Sequence, residues 1–191
     1  MRNALILFWF FSSVGAFAHT GHLPAGGFVT GFLHPLLGPD HIAAMVAVGL
    51  WATTLGGAAA PVLLLAFPLA MLAGGVMGAA GTPLPAVEQG IAASSLVIGV
   101  GVMLALRPPL WLAGAVVAGF AVFHGHAHGA EMPAANSLAP YAGGFVLATL
   151  LLHLAGFGLG YLSRLRAGPA LLRGLGAAIA LSGSVALAGV A

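Results

Sequence analysis

Apolar residues fill long stretches of this chain, and most of its polar residues sit in the gaps between them. Six stretches approach the roughly 20 apolar residues that carry a helix across a bilayer. They are 40–57, 61–80, 88–106, 110–128, 140–162 and 170–190. The gaps are rich in helix-breaking residues: Gly81-Thr82-Pro83-Leu84-Pro85, Arg107-Pro108-Pro109, the run from Met132 to Pro140, and Ala167-Gly168-Pro169. A further apolar piece, 26–37, is too short to span and ends at Gly38-Pro39, which interrupts a helix. The pattern predicts an all-α, polytopic membrane bundle. It has six spanning helices plus a short non-spanning or broken helix. Gly74-x-x-x-Gly78 and Gly156-x-x-x-Gly160 read as close-packing devices between helices.

The first 18 residues have the layout of a secretory signal. Arg2 gives the positive start, 4–11 the short apolar core, and Ala16-Phe17-Ala18 the small-residue cleavage site. Cleavage would leave residues 19–191 as one transmembrane domain; the alternative is an uncleaved first helix. Cleavage would also place His19 and His22 outside the cytoplasm, where they are either accessory capture positions for a metal or incidental residues of a solvated linker.

Composition agrees with the pattern. The hydrophobic fraction is 61%, and with 4% charged residues the chain cannot cover a water-facing surface. Its mean hydropathy is +1.12. The sequence pI near 10.0 rests on a few Arg and points to loop asymmetry rather than to nucleic acid. With no Cys, thiolate metal sites and iron–sulfur clusters are excluded. With no Lys and no phosphate-binding glycine loop, an ATP site is excluded as well.

Charge also tests the topology. If 26–37 does not cross and the mature chain starts outside, the loops bearing Arg107, Arg164 and Arg166 fall in the cytoplasm. Arg173 can snorkel to the same side. Glu88, Glu131 and the His124–His128 cluster fall outside, as the positive-inside rule requires. A full crossing by 26–37 would place all of those Arg outside.

Ionisable residues in such a chain mark function, because their burial in lipid is costly. The densest set is His34-Pro35-Leu36-Leu37-Gly38-Pro39-Asp40-His41. Gly38-Pro39 predicts a half-helix ending near Leu37, with Asp40 and His41 opening the next, an arrangement that builds ion sites in transporters. Imidazole and carboxylate suit a borderline divalent transition metal. Met45 lies one turn beyond His41, as a soft contact or as core packing. The second set is His124, His126 and His128, followed by Glu131. His124 and His128 share a helix face at i,i+4, a spacing used by helical metal sites, and Glu131 continues that face if the helix persists. His126 points the opposite way. The third feature is His153, a lone imidazole near the middle of 140–162, with Thr149 one turn before it. It is a pathway position or ligand, or else a structural core histidine.

These features resemble the HupE/UreJ family of nickel/cobalt permeases. The motif His34-Pro35-x-x-Gly38-x-Asp40-His41-x-x-x-Met45-x-x-x-Gly49 is similar to the family's first pattern. The segment Phe123-His124-Gly125-x-Ala127-His128-Gly129-x-Glu131 looks like its second. Gly144-Phe145-x-x-Ala148-Thr149-x-x-x-His153-x-x-Gly156 is similar to its third. The resemblance runs from about His19 to the C-terminus. It implies that His34, Asp40, His41, His124, His128 and Glu131 handle Ni²⁺ as transported substrate, with Co²⁺ second. It also implies a bacterial inner (cytoplasmic) membrane location and metal supply to hydrogenase or urease maturation.

The rival readings are a membrane electron-transfer protein holding haem through His41, His124 and His153, a Zn²⁺ transporter, and an intramembrane hydrolase using Ser94 or Ser184. The carboxylate beside His41 argues against haem, and neither serine sits in a nucleophile motif.

Overall fold

The computed structural model describes residues 27–190. The expected signal segment, His19 and His22 lie outside the described residues. Seven α-helices follow one another: α1 (Gly27–Leu37), α2 (Pro39–Leu55), α3 (Ala59–Ala79), α4 (Val87–Met103), α5 (Leu110–Ala130), α6 (Leu138–Gly160) and α7 (Gly168–Gly189). A 3₁₀ turn, Tyr161–Arg164, extends α6. No strand occurs among the described residues.

The helix ends follow local chemistry. α2 starts with Pro39, whose fixed φ and missing N–H suit a first helical position. It stops at Gly56 and Gly57, which take φ of 71° and 52°. α4 begins after left-handed Ala86 and ends at Met103, two residues before left-handed Ala105 (φ 51°). The apolar stretch 88–106 therefore yields a shorter helix than its hydropathy suggests.

Four helical segments are long and apolar enough to cross a membrane: Ala59–Ala79, Leu110–Ala130, Leu138–Arg164 and Gly168–Gly189. α1 and α2 pass together, bent by 84° at Gly38, which gives five. The expected sixth span corresponds to α4, whose 17 residues fall short of that length. At about 1.5 Å per residue, a 17-residue helix covers about 26 Å of a hydrocarbon core about 30 Å thick.

Helices α2 to α7 run alternately up and down. One end gathers the start of α2, the end of α3, the start of α4, the end of α5, the start of α6 and the end of α7. Ring contacts between His41 and His124, a His126–Thr82 hydrogen bond and a Gln89–Val190 hydrogen bond hold this end together. At the opposite end, Trp51 Nε1 donates to the Leu106 carbonyl at 3.0 Å. Two shallow pockets of about 270 and 240 Å³ lie there, lined in part by Arg107 and Arg164 respectively. The acidic residues Asp40, Glu88 and Glu131 thus sit at one end, and Arg107, Arg164 and Arg166 at the other.

The most extensive pairings are α3 with α5 and α4 with α7, followed by α1 and α2 with α6. Small residues permit them. Side chains added at Gly74 and Gly78 would run into the backbone of α5, and one at Gly156 into that of α2. The core between the helices includes Met45, Phe67, Met71, Tyr141 and Phe145, all fully buried.

Candidate metal site

The 84° bend is what brings the first motif together. It leaves His34 in the last turn of α1 and places Asp40 and His41 in the first turn of α2. Gly38 leaves room at the corner: a Cβ there would crowd Asp40 Oδ1 at 2.9 Å and His41 Nδ1 at 3.0 Å and displace those side chains. Asp40 Oδ1 accepts from the His41 backbone N–H at 2.9 Å and pairs with His41 Nδ1 at 3.1 Å. A carboxylate can only accept, so Nδ1 carries the proton. The lone pair of a neutral His41 ring is then on Nε2. That atom is buried and has no hydrogen-bond partner.

α5 supplies the second group. His124 and His128 lie one turn apart on one face, and both are fully buried. Helix α5 ends at Ala130, and Glu131 caps it. Glu131 Oε2 pairs with His34 Nε2 at 2.9 Å. This pair is more open than the rest, with side-chain exposures of 24% for His34 and 50% for Glu131.

The imidazoles form a string. Ring centroids are 4.8 Å apart for His34 and His128, 4.8 Å for His128 and His41, and 4.7 Å for His41 and His124. Phe145 stacks on His128 at 5.2 Å, and Phe67 lies 5.5 Å from His124. Phe67 also contacts His153 at 5.1 Å, so its ring stands between the string and that deeper imidazole. Neither nitrogen of His128 has a hydrogen-bond partner. Among the described residues, no three His, Asp or Glu side chains converge as a closed metal cage. The donors are arranged as successive pairs.

The expected positions thus divide. His34, Asp40, His41, His124, His128 and Glu131 come together at one end of the bundle. His153 is buried but separate. His126 turns away and hydrogen-bonds the Thr82 carbonyl at 2.8 Å. Met45 is fully buried in the core, its sulfur within 3.4 Å of Thr149 Oγ1. The haem alternative loses one of its ligand pairs: His41 and His124 touch edge to face at 4.7 Å, too close to stand on opposite sides of one flat macrocycle.

Ser94 is the neighbour that sequence reasoning passed over. The sequence offers it only as a nucleophile. Its hydroxyl donates its one proton to the Ile91 carbonyl at 2.6 Å. Its oxygen is 2.8 Å from His124 Nε2 and therefore accepts from it. This fixes the proton of a neutral His124 on Nε2 and leaves the Nδ1 lone pair bare; Nδ1 is buried without a partner. Partners of this kind set the tautomer and aim of metal-binding histidines, and their loss costs about 10–100-fold in affinity. Ser94→Ala is expected to weaken divalent-metal binding at these histidines about 10-fold. Ser94→Thr, which keeps the hydroxyl, restores it. Metal titration of the two purified variants checks this.

Fold and site define the class: a polytopic helical membrane protein with a histidine cluster set among its helices. The family described as HupE / UreJ protein matches residues 6–186. Protein HupE of Rhizobium leguminosarum bv. viciae is 44% identical over 174 residues, covering 91% of each chain. The chain belongs to the HupE/UreJ family, membrane transport proteins rather than enzymes. No solved structure matches it.

Proposed function

We propose that this chain is a permease that imports a divalent transition metal, Ni²⁺ first and Co²⁺ second, for the maturation of hydrogenase or urease. The observation that carries this reading is the string of imidazoles at one end of the bundle, in which His41, His124 and His128 each keep a buried ring nitrogen without a hydrogen-bond partner. The family resemblance supplies the metal and its destination.

In this reading α2 to α7 all cross the bilayer as a single transport domain, after a cleaved signal peptide of 18 residues. Their alternating directions and the Arg-rich far end favour a periplasmic imidazole end in a bacterial inner membrane. The ion enters at the exposed His34–Glu131 pair and passes to His41, His124 and His128, with Asp40 holding His41 and offsetting charge. Successive pairs bind less tightly than a closed cage would, and a permeating ion must also leave. Membrane potential alone provides about 4.6 kcal/mol per 100 mV for a divalent ion, at about 2.3 per charge. Neutral imidazoles are needed, so protons compete with metal and uptake falls as external pH is lowered.

The test is ⁶³Ni²⁺ uptake by cells expressing the chain, with Co²⁺ and Zn²⁺ as competitors. Saturable uptake suppressed by Co²⁺ more strongly than by Zn²⁺ is expected. Zn²⁺ as the stronger competitor would move the assignment to zinc, and no uptake by inserted protein would remove the permease reading.

A further inference from the structure

A second group of metal-binding atoms lies away from the carboxylates. Thr149 Oγ1 is 3.4 Å from Met45 Sδ and 3.6 Å from Met71 Sδ, and all three residues are fully buried. The three come from α6, α2 and α3. The usual habit of a helical hydroxyl is to bond the carbonyl one turn back. Thr53, Thr54, Ser182 and Ser184 all do so. Thr149 instead turns sideways to two thioethers. Its single proton serves one sulfur at a time, so the pair keeps lone pairs free.

One turn further along α6 stands His153, also fully buried, with neither ring nitrogen in hydrogen-bond geometry. The Leu64 carbonyl on α3 comes close enough to interact with its ring. An apolar ring of similar shape would fill this position at no polar cost. A buried imidazole one turn from the Thr149–thioether group, with at best one backbone carbonyl to satisfy it, fits a ligand better than it fits packing.

We propose that Met45, Met71 and Thr149, with His153, form a second metal station, deeper than the imidazole string and selective for soft cations. The donors are neutral thioethers and one imidazole, with no carboxylate. Such a set favours a soft monovalent ion, of the Cu⁺ or Ag⁺ class, and holds a borderline divalent ion weakly. For transport, which rests on the permease reading above, weak neutral donors let the cargo pass on. A soft ion lodges there and blocks it.

Ag⁺ is the probe. Purified full-length protein in detergent is titrated with Ag⁺, and the bound ion is examined by X-ray absorption. A shell containing two sulfurs is expected. Met45→Leu/Met71→Leu conserves side-chain volume, so the fold is retained; it should lose that shell and bind Ag⁺ at least 10-fold more weakly. Each single Met→Leu variant should lose one sulfur, which guards against misfolding of the double variant. His41→Ala should keep both. Equal Ag⁺ affinity or an unchanged sulfur shell in the double variant would overturn the proposal and leave the sulfurs as core packing. The binding measurement stands apart from transport: a parent that binds Ag⁺ through sulfur yet takes up no Ni²⁺ refutes the permease and keeps the station.

Discussion

His41→Ala is expected to lower Ni²⁺ uptake by at least about 100-fold while leaving the protein inserted at normal levels. His41 is the hub of the string, in ring contact with both His124 and His128. Its Nε2 is buried without a partner, and its Nδ1 is committed to Asp40. Removing it deletes a donor and breaks the sequence of pairs at its middle. Loss of even an orienting partner costs a metal site about 10–100-fold, and loss of the donor itself lies at or beyond that range. Stability should change only modestly, because the lost ring is polar, lies in the first turn of α2 and has at its buried Nε2 no partner to leave behind. Asp40→Asn keeps the shape but loses the charge that holds the proton on Nδ1. A smaller loss than for His41→Ala, about 10-fold, is expected if Asp40 acts by orienting its neighbour. Initial-rate uptake normalised to membrane protein measures both. Near-parental rates in His41→Ala would place the pathway elsewhere.

The first motif was legible because its chemistry is local. Gly38-Pro39 breaks a helix by backbone rules alone, and the break is where the 84° bend occurs. The i,i+4 relation of His124 and His128, and the opposite aim of His126, follow from helical periodicity. The pairings across elements could not be read the same way. His34 meets Glu131, Ser94 meets His124, and Thr149 meets Met45 and Met71 only after α1 to α6 have packed. Nothing in the spacing of those residues announces their meeting. The length of one stretch, 88–106, was over-read for a different reason. Hydropathy continues through Leu104, Ala105 and Leu106, but the helix stops at Met103 because the backbone turns left-handed at Ala105. A turn that uses apolar residues leaves no mark on a hydropathy profile.

The histidine string depends on how closely α3 and α5 approach, and that approach rests on glycine. A Cβ at Gly125 would run into the backbone carbonyl of Met71, with Gly75 N 2.9 Å away. A backbone cannot swing aside as a long side chain can, so any side chain there pushes the two helices apart. Gly125 lies directly after His124 and three residues before His128. Gly125→Leu is therefore expected to cost stability at or above the upper end of the about 1–3 kcal/mol typical of overpacking. That is a large part of the about 5–15 kcal/mol that holds a domain folded. Accumulation in the membrane should fall several-fold, and uptake per remaining molecule should be lost as His124 and His128 shift off His41. Gly119→Leu, on the same helix, is the matched control. A Cβ there meets nothing within 4 Å, and the change adds the same apolar bulk facing open space. It should leave both level and uptake near the parent. Quantitative immunoblots of membranes, paired with uptake, separate the two effects. Normal accumulation and uptake in Gly125→Leu would show that α3 and α5 have slack, and that the string does not need their close contact.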